Sequence, residues 1–137
     1  MTGEEEITQR VAVLIDLRAI RENIAEEKKI IAPGTGICAV VKADAYGHGA
    51  VPVAKALSKD GIAMFAVAIP EEGAELRKAG IQEPILLLGY TAPQQYEMLF
   101  DYDLTPTLFQ YERARELNEM AAKRKTRKKI HIKLDTG

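Results

Sequence analysis

The residue whose type and position most clearly suggest a chemical role is Lys42, which lies between an apolar run and a segment of small residues. The apolar run covers residues 37–41, and Gly47 and Gly49 punctuate the segment that follows. A buried strand that ends at a lysine places the amine at the carboxyl edge of a parallel sheet, where α/β proteins carry their chemistry. Desolvation favours the neutral, nucleophilic form of an amine. Lys42 is therefore a candidate for Schiff-base chemistry with a carbonyl compound, and the alternative is a lysine that only ends a strand and points into solvent.

Length and charge exclude several classes of protein. The chain has 137 residues, 47% hydrophobic and 28% charged, with a formal net charge of -1. This length suits one domain with a real core and is too short for two ordinary domains. The nearly balanced charge gives no reason to expect nucleic acid or an anionic membrane as a partner. The basic run at residues 123–129 is interpreted as a solvated helix end followed by a loop.

The sequence predicts a cytoplasmic protein. No apolar run reaches the ~20 residues needed to span a bilayer, and the polar, acidic residues 1–10 resemble a disordered or flexible start rather than a secretory signal. The single cysteine, Cys38, lies in an apolar run and is expected to be a small buried side chain. Because a lone cysteine cannot form an internal disulfide, a reducing compartment is expected. The sequence has no cysteine pair or His/Glu cluster typical of a metal site.

Strands and helices alternate along the predicted chain. Apolar runs predict strands at residues 11–15, 37–42, 64–69, 85–88, 104–109 and 130–134. Apolar residues at helical spacing, with capping residues and terminal charges, predict helices at residues 17–31, 50–57, 71–79, 93–100 and 111–125. Pro106 lies inside one predicted strand and favours an irregular or partly unpaired strand there.

This order predicts an α/β fold with a parallel sheet, a partial TIM-type (β/α) barrel of about five strands with flanking helices, plus the short N-terminal strand. A complete barrel needs eight strands and about 250 residues. The chain stops after its last predicted strand with no helix to follow, so we expect a truncated piece. Its two unpaired edges and its uncovered inner face predict self-association.

The segment around Lys42 resembles the pyridoxal-phosphate attachment site of alanine racemases almost letter for letter over residues 39–49. The likeness continues at residues 15–17 with Asn23, at residues 65–68 with Glu72, and at residues 75–77, 79–81, 84–89 and 132–137. It covers nearly the whole chain but only about the first third of a family member. Residues 11–137 are therefore identified as the N-terminal part of an alanine racemase barrel domain, without the later barrel units and the second domain.

The resemblance implies a pyridoxal-phosphate-dependent isomerase that interconverts L-alanine and D-alanine for bacterial peptidoglycan. The cofactor is held on the lysine that matches Lys42 and acts as an electron sink for the Cα–H bond. Lys42 is then the base for one face of the substrate. The base for the other face is a tyrosine of the C-terminal domain, supplied by the second subunit of a homodimer. Because that domain is missing, the resemblance implies that this chain by itself is an incomplete and inactive fragment.

Four further residues take roles from the resemblance. Tyr46 matches a tyrosine that hydrogen-bonds the cofactor phosphate. Val40 and Leu88 are expected to line the face of the cofactor ring. Lys133 matches a lysine that is carbamylated in many members and then orients an arginine, which would lie after residue 137. His48 belongs to the signature and is expected to shape the turn rather than to transfer protons.

Two alternatives stay open at this point. The first is a racemase of the same fold that acts on serine or on another amino acid. The second is a non-catalytic piece of a partial barrel. By resemblance, the strand at residues 11–15 belongs with the missing second domain, so we expect it to be displaced, disordered or used to cover an edge.

Overall fold

A computed structural model describes residues 11–134 and residue 136, and shows a single parallel sheet with helices on one side. Within the described residues the sheet order is β1-β2-β3-β4-β5, the same as the chain order. The strands are β1 (Cys38–Val40), β2 (Met64–Val67), β3 (Ile85–Leu87), β4 (Leu104–Leu108) and β5 (His131–Ile132). Strands that follow one another in space as in sequence, with helical crossovers between them, form a segment of a (β/α) barrel. The predicted five-stranded partial barrel is therefore confirmed.

The helices of the described chain fill the crossovers. They are α1 (Leu17–Ile30), α2 (Lys42–Gly47), α3 (Ala50–Ser58), α4 (Pro70–Lys78), α5 (Tyr96–Asp101) and α6 (Tyr111–Lys123). A short 3-10 helix, Pro93–Gln95, leads into α5. The helix predicted at residues 93–100 therefore divides into two types of helix. None of these helices is long and apolar enough to cross a membrane.

The core lies between the sheet and the helices. Phe65, Ile85 and Leu104 are aligned with one another across three strands and are fully buried. Residues of opposite parity along a strand face the other side of the sheet. That second face, called the inner face below, is only partly covered, and Val40 on it is 40% exposed. The sheet is thus closed by helices on its outer face and open on its inner face.

Helix α1 is capped at its first turn and packs one stripe of side chains against the core. Asp16 caps it, since its carboxylate accepts from the amides of Arg18 and Ala19 at 2.8 and 3.2 Å. Leu17, Ile20 and Ile24 pack against the core from one stripe of the helix. The helix predicted at residues 17–31 is therefore the observed α1, which ends at Ile30.

The strand predicted at residues 11–15 is wrong. These residues form no strand, and Val11, Val13 and Leu14 are 79–80% exposed. A strand needs a neighbour to pair its amides and carbonyls, and none of the described residues offers that segment one. The expectation that this segment is displaced from the barrel agrees with its exposure. The predicted flexible start, residues 1–10, lies outside the described residues.

One further expectation is corrected. Cys38 is exposed rather than buried, because it lies on the open inner face while its neighbour Ala39 faces the helices. Pro106 is partly unpaired, which is one of the two arrangements predicted for it. It pairs with Leu87 of β3, whereas the ladder to β5 begins only at Thr107, so the amide that proline lacks falls outside that ladder.

Candidate active site

Lys42 lies where the chain leaves the sheet after β1. The amide of Val41 still donates to the Ala66 carbonyl of β2 at 2.8 Å, as a continuation of the ladder. Lys42 follows directly, half-buried, as the first residue of α2. Its Cα belongs to the same strand parity as Val40, which lies on the inner face. The predicted position at the carboxyl end of a strand is therefore the observed one.

Helix α2 is a left-handed turn. Residues 43–46 have φ between 50° and 56° and ψ between 35° and 52°. The left-handed helical conformation costs roughly 1–2 kcal/mol for each residue that carries a Cβ. Such a turn persists only where the surrounding contacts fix it. The sequence predicted a turn rich in small residues here, but its left-handed course is a finding of the structure.

Side chains of the signature hold this turn from within. Asp44 accepts from the amide of Ala50 at 2.7 Å and so caps the start of α3. The ring nitrogen Nδ1 of His48 lies 2.9 Å from the Ala45 carbonyl oxygen. This contact agrees with the prediction that His48 shapes the turn. Asp44 and His48 of the signature therefore act on the backbone, because both side chains make hydrogen bonds that stabilise the turn after Lys42.

A carboxylate from outside the signature also contacts the turn. Glu72 Oε1 accepts from the amide of Ala43 at 2.7 Å, and its Oε2 accepts from the amide of Ala68 at 2.7 Å. The amide of Ile69 reaches the same Oε2 at 3.3 Å. Glu72 therefore joins the residue after Lys42 to the loop after β2.

An open depression on the inner face brings several polar groups together. Its volume is about 580 Å³, and it is lined by Lys42, Leu88, Thr107, His131 and Lys133, among others. The wall is made by residues of all five described strands or by the residues that follow them. The depression therefore combines amines, an imidazole, a hydroxyl and apolar surface, which is the kind of lining that small polar ligands use.

The five predicted site residues are not all in the lining. Lys42, Leu88 and Lys133 line the depression together. Tyr46 is beside it, with its ring centroid 5.9 Å from Lys42 Nζ and its side chain 61% exposed. Val40 is exposed on the same face but is not part of this lining.

Sequence reasoning missed three contributors to the site, which are His131, Thr107 and Glu72. His131 and the predicted Lys133 both alternate with apolar residues, so the pattern alone could have placed His131 on the same face as Lys133. Thr107 shares the inner face by the same parity argument within β4. Glu72 carries no such signal, because its contact with Ala43 depends on two loops meeting in space.

Residues 11–134 and 136 contain no group of three or more His, Cys, Asp or Glu side chains that could hold a metal ion. The amine of Lys42 is the group in this depression that suggests a reaction, namely Schiff-base formation with a carbonyl compound.

Comparison with known proteins gives one consistent result. The family described as "Alanine racemase, N-terminal domain" matches residues 15–137. An alanine racemase from Halothermothrix orenii is 52% identical over 131 residues, which are 96% of this chain and 35% of that protein.

Solved structures agree in fold. The structure of alanine racemase from Clostridium difficile in complex with cycloserine has a TM-score of 0.86 and 41% identity, over 90% of this chain and 33% of that one. A histidine racemase from Leuconostoc mesenteroides has a TM-score of 0.75 and 26% identity, over 83% of this chain and 30% of that one. The chain spans about a third of the length of each of these relatives.

The partial barrel, its likeness to solved alanine racemase structures and the family match over residues 15–137 lead to the same assignment. The chain belongs to the alanine racemase family, as an N-terminal part of its TIM-barrel domain.

Proposed function

We propose that this chain carries the cofactor lysine of a pyridoxal-phosphate-dependent alanine racemase. The observation that carries the proposal is the amine of Lys42, held at the end of β1 on an open depression. Support also comes from a relative named alanine racemase, which is 52% identical in sequence to this chain over 131 residues. The chain matches only a third of such proteins, so the complete reaction is proposed for the longer protein.

The groups around Lys42 fit the chemistry of pyridoxal phosphate. Lys42 supplies the amine that a carbonyl carbon requires, and Leu88 supplies apolar surface for an aromatic ring. The hydroxyl of Tyr46 is proposed to bind the phosphate, and Val40 is proposed to extend the apolar wall. When bound, pyridoxal phosphate supplies an electron sink that makes the substrate Cα–H bond acidic.

Proton transfer is the task proposed for the chain's own amine. When it is not bonded to the cofactor, Lys42 would be the group that accepts the Cα proton on its side of the substrate. Racemisation also needs a proton donor on the opposite side. We assign that donor to a tyrosine in the C-terminal domain of a second subunit, in a cytoplasmic homodimer that supplies D-alanine for peptidoglycan.

Lys133 is the proposed site of a carbamate. The side chain lines the depression with Lys42, on the strand-end side formed by β5. Carbamylation converts a cationic amine to an anion, which is able to orient an arginine beyond residue 137. Without the later strands and loops of the barrel, this chain is proposed to retain the cofactor less firmly than the longer protein.

A second candidate is a racemase for a different amino acid. The structural likeness to a histidine racemase supports this second candidate, because enzymes named for different substrates share the fold of this segment. The side chains that would choose between substrates are proposed to lie outside this chain.

Trapping with borohydride tests the proposed function. The chain is incubated with pyridoxal phosphate, reduced, digested and mapped by mass spectrometry. We expect the adduct to concentrate on Lys42 and to decrease when alanine is present before reduction, because the amine of alanine competes with Lys42.

Matched additions of alanine, serine and histidine to the longer protein separate the substrate candidates, because the side chains that choose between substrates are proposed to lie outside this chain. A decrease with alanine alone favours the alanine racemase, and a stronger decrease with serine or histidine favours the second candidate. An adduct spread over all exposed lysines in proportion to their exposure contradicts both.

A further inference from the structure

The backbone amides after Lys42 need partners that the sheet does not supply. The β1–β2 ladder pairs Val40 with Ala66, and its last hydrogen bond is the one from the amide of Val41. Two residues further along both strands, the register would bring position 42 opposite Ala68. The chain has by then entered the left-handed turn α2, so the strand ladder cannot continue.

The Glu72 carboxylate takes the place of the missing ladder. One oxygen accepts from Ala43, the residue after Lys42, and the other accepts from Ala68, the residue after β2. Both bonds measure 2.7 Å, which is the range of charge-assisted hydrogen bonds. A single half-buried side chain thus connects the ends of two neighbouring strands where the backbone no longer does.

The connection extends to β3. The carbonyl oxygen of Ala68 accepts from the amide of Gly89 at 3.1 Å, and Ala68, Gly89 and Leu88 all line the depression with Lys42. A chain of hydrogen bonds through Glu72 and Ala68 therefore connects the turn after Lys42 with Gly89, which follows β3 and lines the same depression.

We propose that Glu72 is a positioning residue for Lys42, and that it holds the left-handed turn so that the amine faces the depression. This inference rests on the proposed function, in which Lys42 reacts with a carbonyl compound. Glu72 acts through the backbone of Ala43 and Ala68, and it is not a catalytic residue itself.

The competing explanation is that Glu72 only caps α4. It is the third residue of that helix, it accepts from the amide of Ile69, and an acidic side chain in the first turn favours the helix. Capping explains the contact with Ile69 but leaves the shorter contact with Ala43, 29 residues earlier in the chain, without a reason. A cap and a positioning residue therefore predict different effects on Lys42.

The variants Glu72→Gln and Glu71→Gln separate these explanations. Glutamine has one oxygen that accepts and one amide group that donates, so it cannot serve Ala43 and Ala68 together. Glu71 lies in the same turn of α4, and its carboxylate accepts from the Gln95 side chain at 2.7 Å. Glu71→Gln thus removes the same charge from the same turn without touching α2.

Three measurements are made on the wild-type chain and on both variants. Hydrogen exchange of the Ala43 and Ala68 amides by NMR reports whether the carboxylate holds them. The rate at which pyridoxal phosphate and borohydride modify Lys42 reports the position of the amine. The midpoint of urea unfolding reports the capping contribution.

In the wild-type chain we expect both amides to be protected. In Glu72→Gln, exchange of at least one amide should accelerate roughly tenfold or more, and modification of Lys42 should slow by roughly tenfold, since a misplaced reacting group loses rate steeply. Glu71→Gln should match the wild-type chain in both exchange and modification.

Two results overturn the positioning role. Equal rates of Lys42 modification in Glu72→Gln and the wild-type chain leave Glu72 as a helix cap only. The role is also overturned if the Ala43 amide of the wild-type chain exchanges hydrogen as fast as the amides of exposed turns. This second result needs only the wild-type chain, so it is decisive even if Glu72→Gln fails to fold. If the wild-type chain shows no preference for Lys42, the proposed function fails, and the exchange comparison then decides alone whether Glu72 holds α2.

Discussion

At the scale of single residues, the site depends on how closely three strand ends approach one another. Gly89 makes the tightest approach, because a Cβ at this position would lie 2.5 Å from the Ala68 carbonyl oxygen. Its φ is not in the left-handed region, so the requirement for glycine is one of space. Ala68 in turn accepts from the Gly89 amide and donates to Glu72. Gly89 therefore belongs to the framework that places Lys42.

Gly89→Ala should destabilise the chain and disturb the lysine site together. A methyl group forced against backbone has to push two strand ends apart, and such overpacking costs about 1–3 kcal/mol. We expect a lower urea midpoint and slower modification of Lys42 by pyridoxal phosphate. Gly80→Ala is the control, since a Cβ there meets nothing within 4 Å and its cost comes from its φ of 94°. Slower labelling in Gly80→Ala than in Gly89→Ala would contradict this account.

Much of the residue-level site could be predicted from the sequence. Lys42 and Leu88 end apolar runs, and such ends meet at one edge of a parallel sheet. The handedness of α2 could not be predicted, because alanine, aspartate and tyrosine have no intrinsic preference for four left-handed residues in succession. The role of Glu72 was equally hidden, since its partner Ala43 is distant in the chain.

At the scale of elements, an ion pair connects two loops at the end of the sheet opposite the site. Asp103 precedes β4, and its carboxylate accepts from Lys128, in the loop before β5, at 2.9 Å. This hydrogen bond lowers the pKa of Asp103 below its usual value of 3.8, with burial acting in the other direction. The carboxylate is largely exposed, so solvent screens the pair.

The pH dependence of stability should change in Asp103→Asn. Because the folded-state pKa is the lower one, the stabilisation is complete above pH 3.8 and is lost as pH falls through the folded pKa. We expect the wild-type chain to exceed Asp103→Asn in urea midpoint at pH 6, with a difference that shrinks as pH falls below 3.8. Asparagine accepts the positive φ of 46° at this position, so strain does not confuse the comparison. A constant difference from pH 6 to pH 3 would refute the role of the ion pair.

The elements show where sequence patterns succeed. Strands such as Ile85–Leu87 are apolar on both faces, and a continuous apolar run predicts them well. The segment at residues 11–15 has the same apolar character but forms no strand, because pairing depends on a neighbour that a pattern cannot reveal. The correction at Cys38 has a similar cause, since the sequence does not state which face of the sheet stays open.

At the scale of the whole molecule, the described sheet has two edges and an open face. β1 and β5 each pair with one neighbour, and Ile132 of β5 is 74% exposed. Unpaired strand edges and exposed apolar side chains favour association between chains. The relatives are about three times as long, so the remainder of such a protein has room to cover these surfaces.

Self-association of the isolated chain is therefore expected, and β5 is the edge to alter. Sedimentation velocity over a range of concentrations should show mass increasing with concentration for the wild-type chain. Ile132→Lys, which places a charge on the edge, should shift the equilibrium toward monomer. Lys55→Arg on helix α3 is the control, because it preserves charge and lies on a helix rather than on β5. A wild-type chain that stays monomeric at high concentration would contradict this prediction.

The central claim is that this partial barrel already holds Lys42 in place for carbonyl chemistry. The most direct test is the absorbance spectrum of the chain after incubation with pyridoxal phosphate and desalting, beside Lys42→Ala. The account predicts a retained visible band in the wild-type chain, formed by an imine to the lysine, and its loss in Lys42→Ala. No retained band, or a band that survives Lys42→Ala, would show that the signature is present without an assembled site.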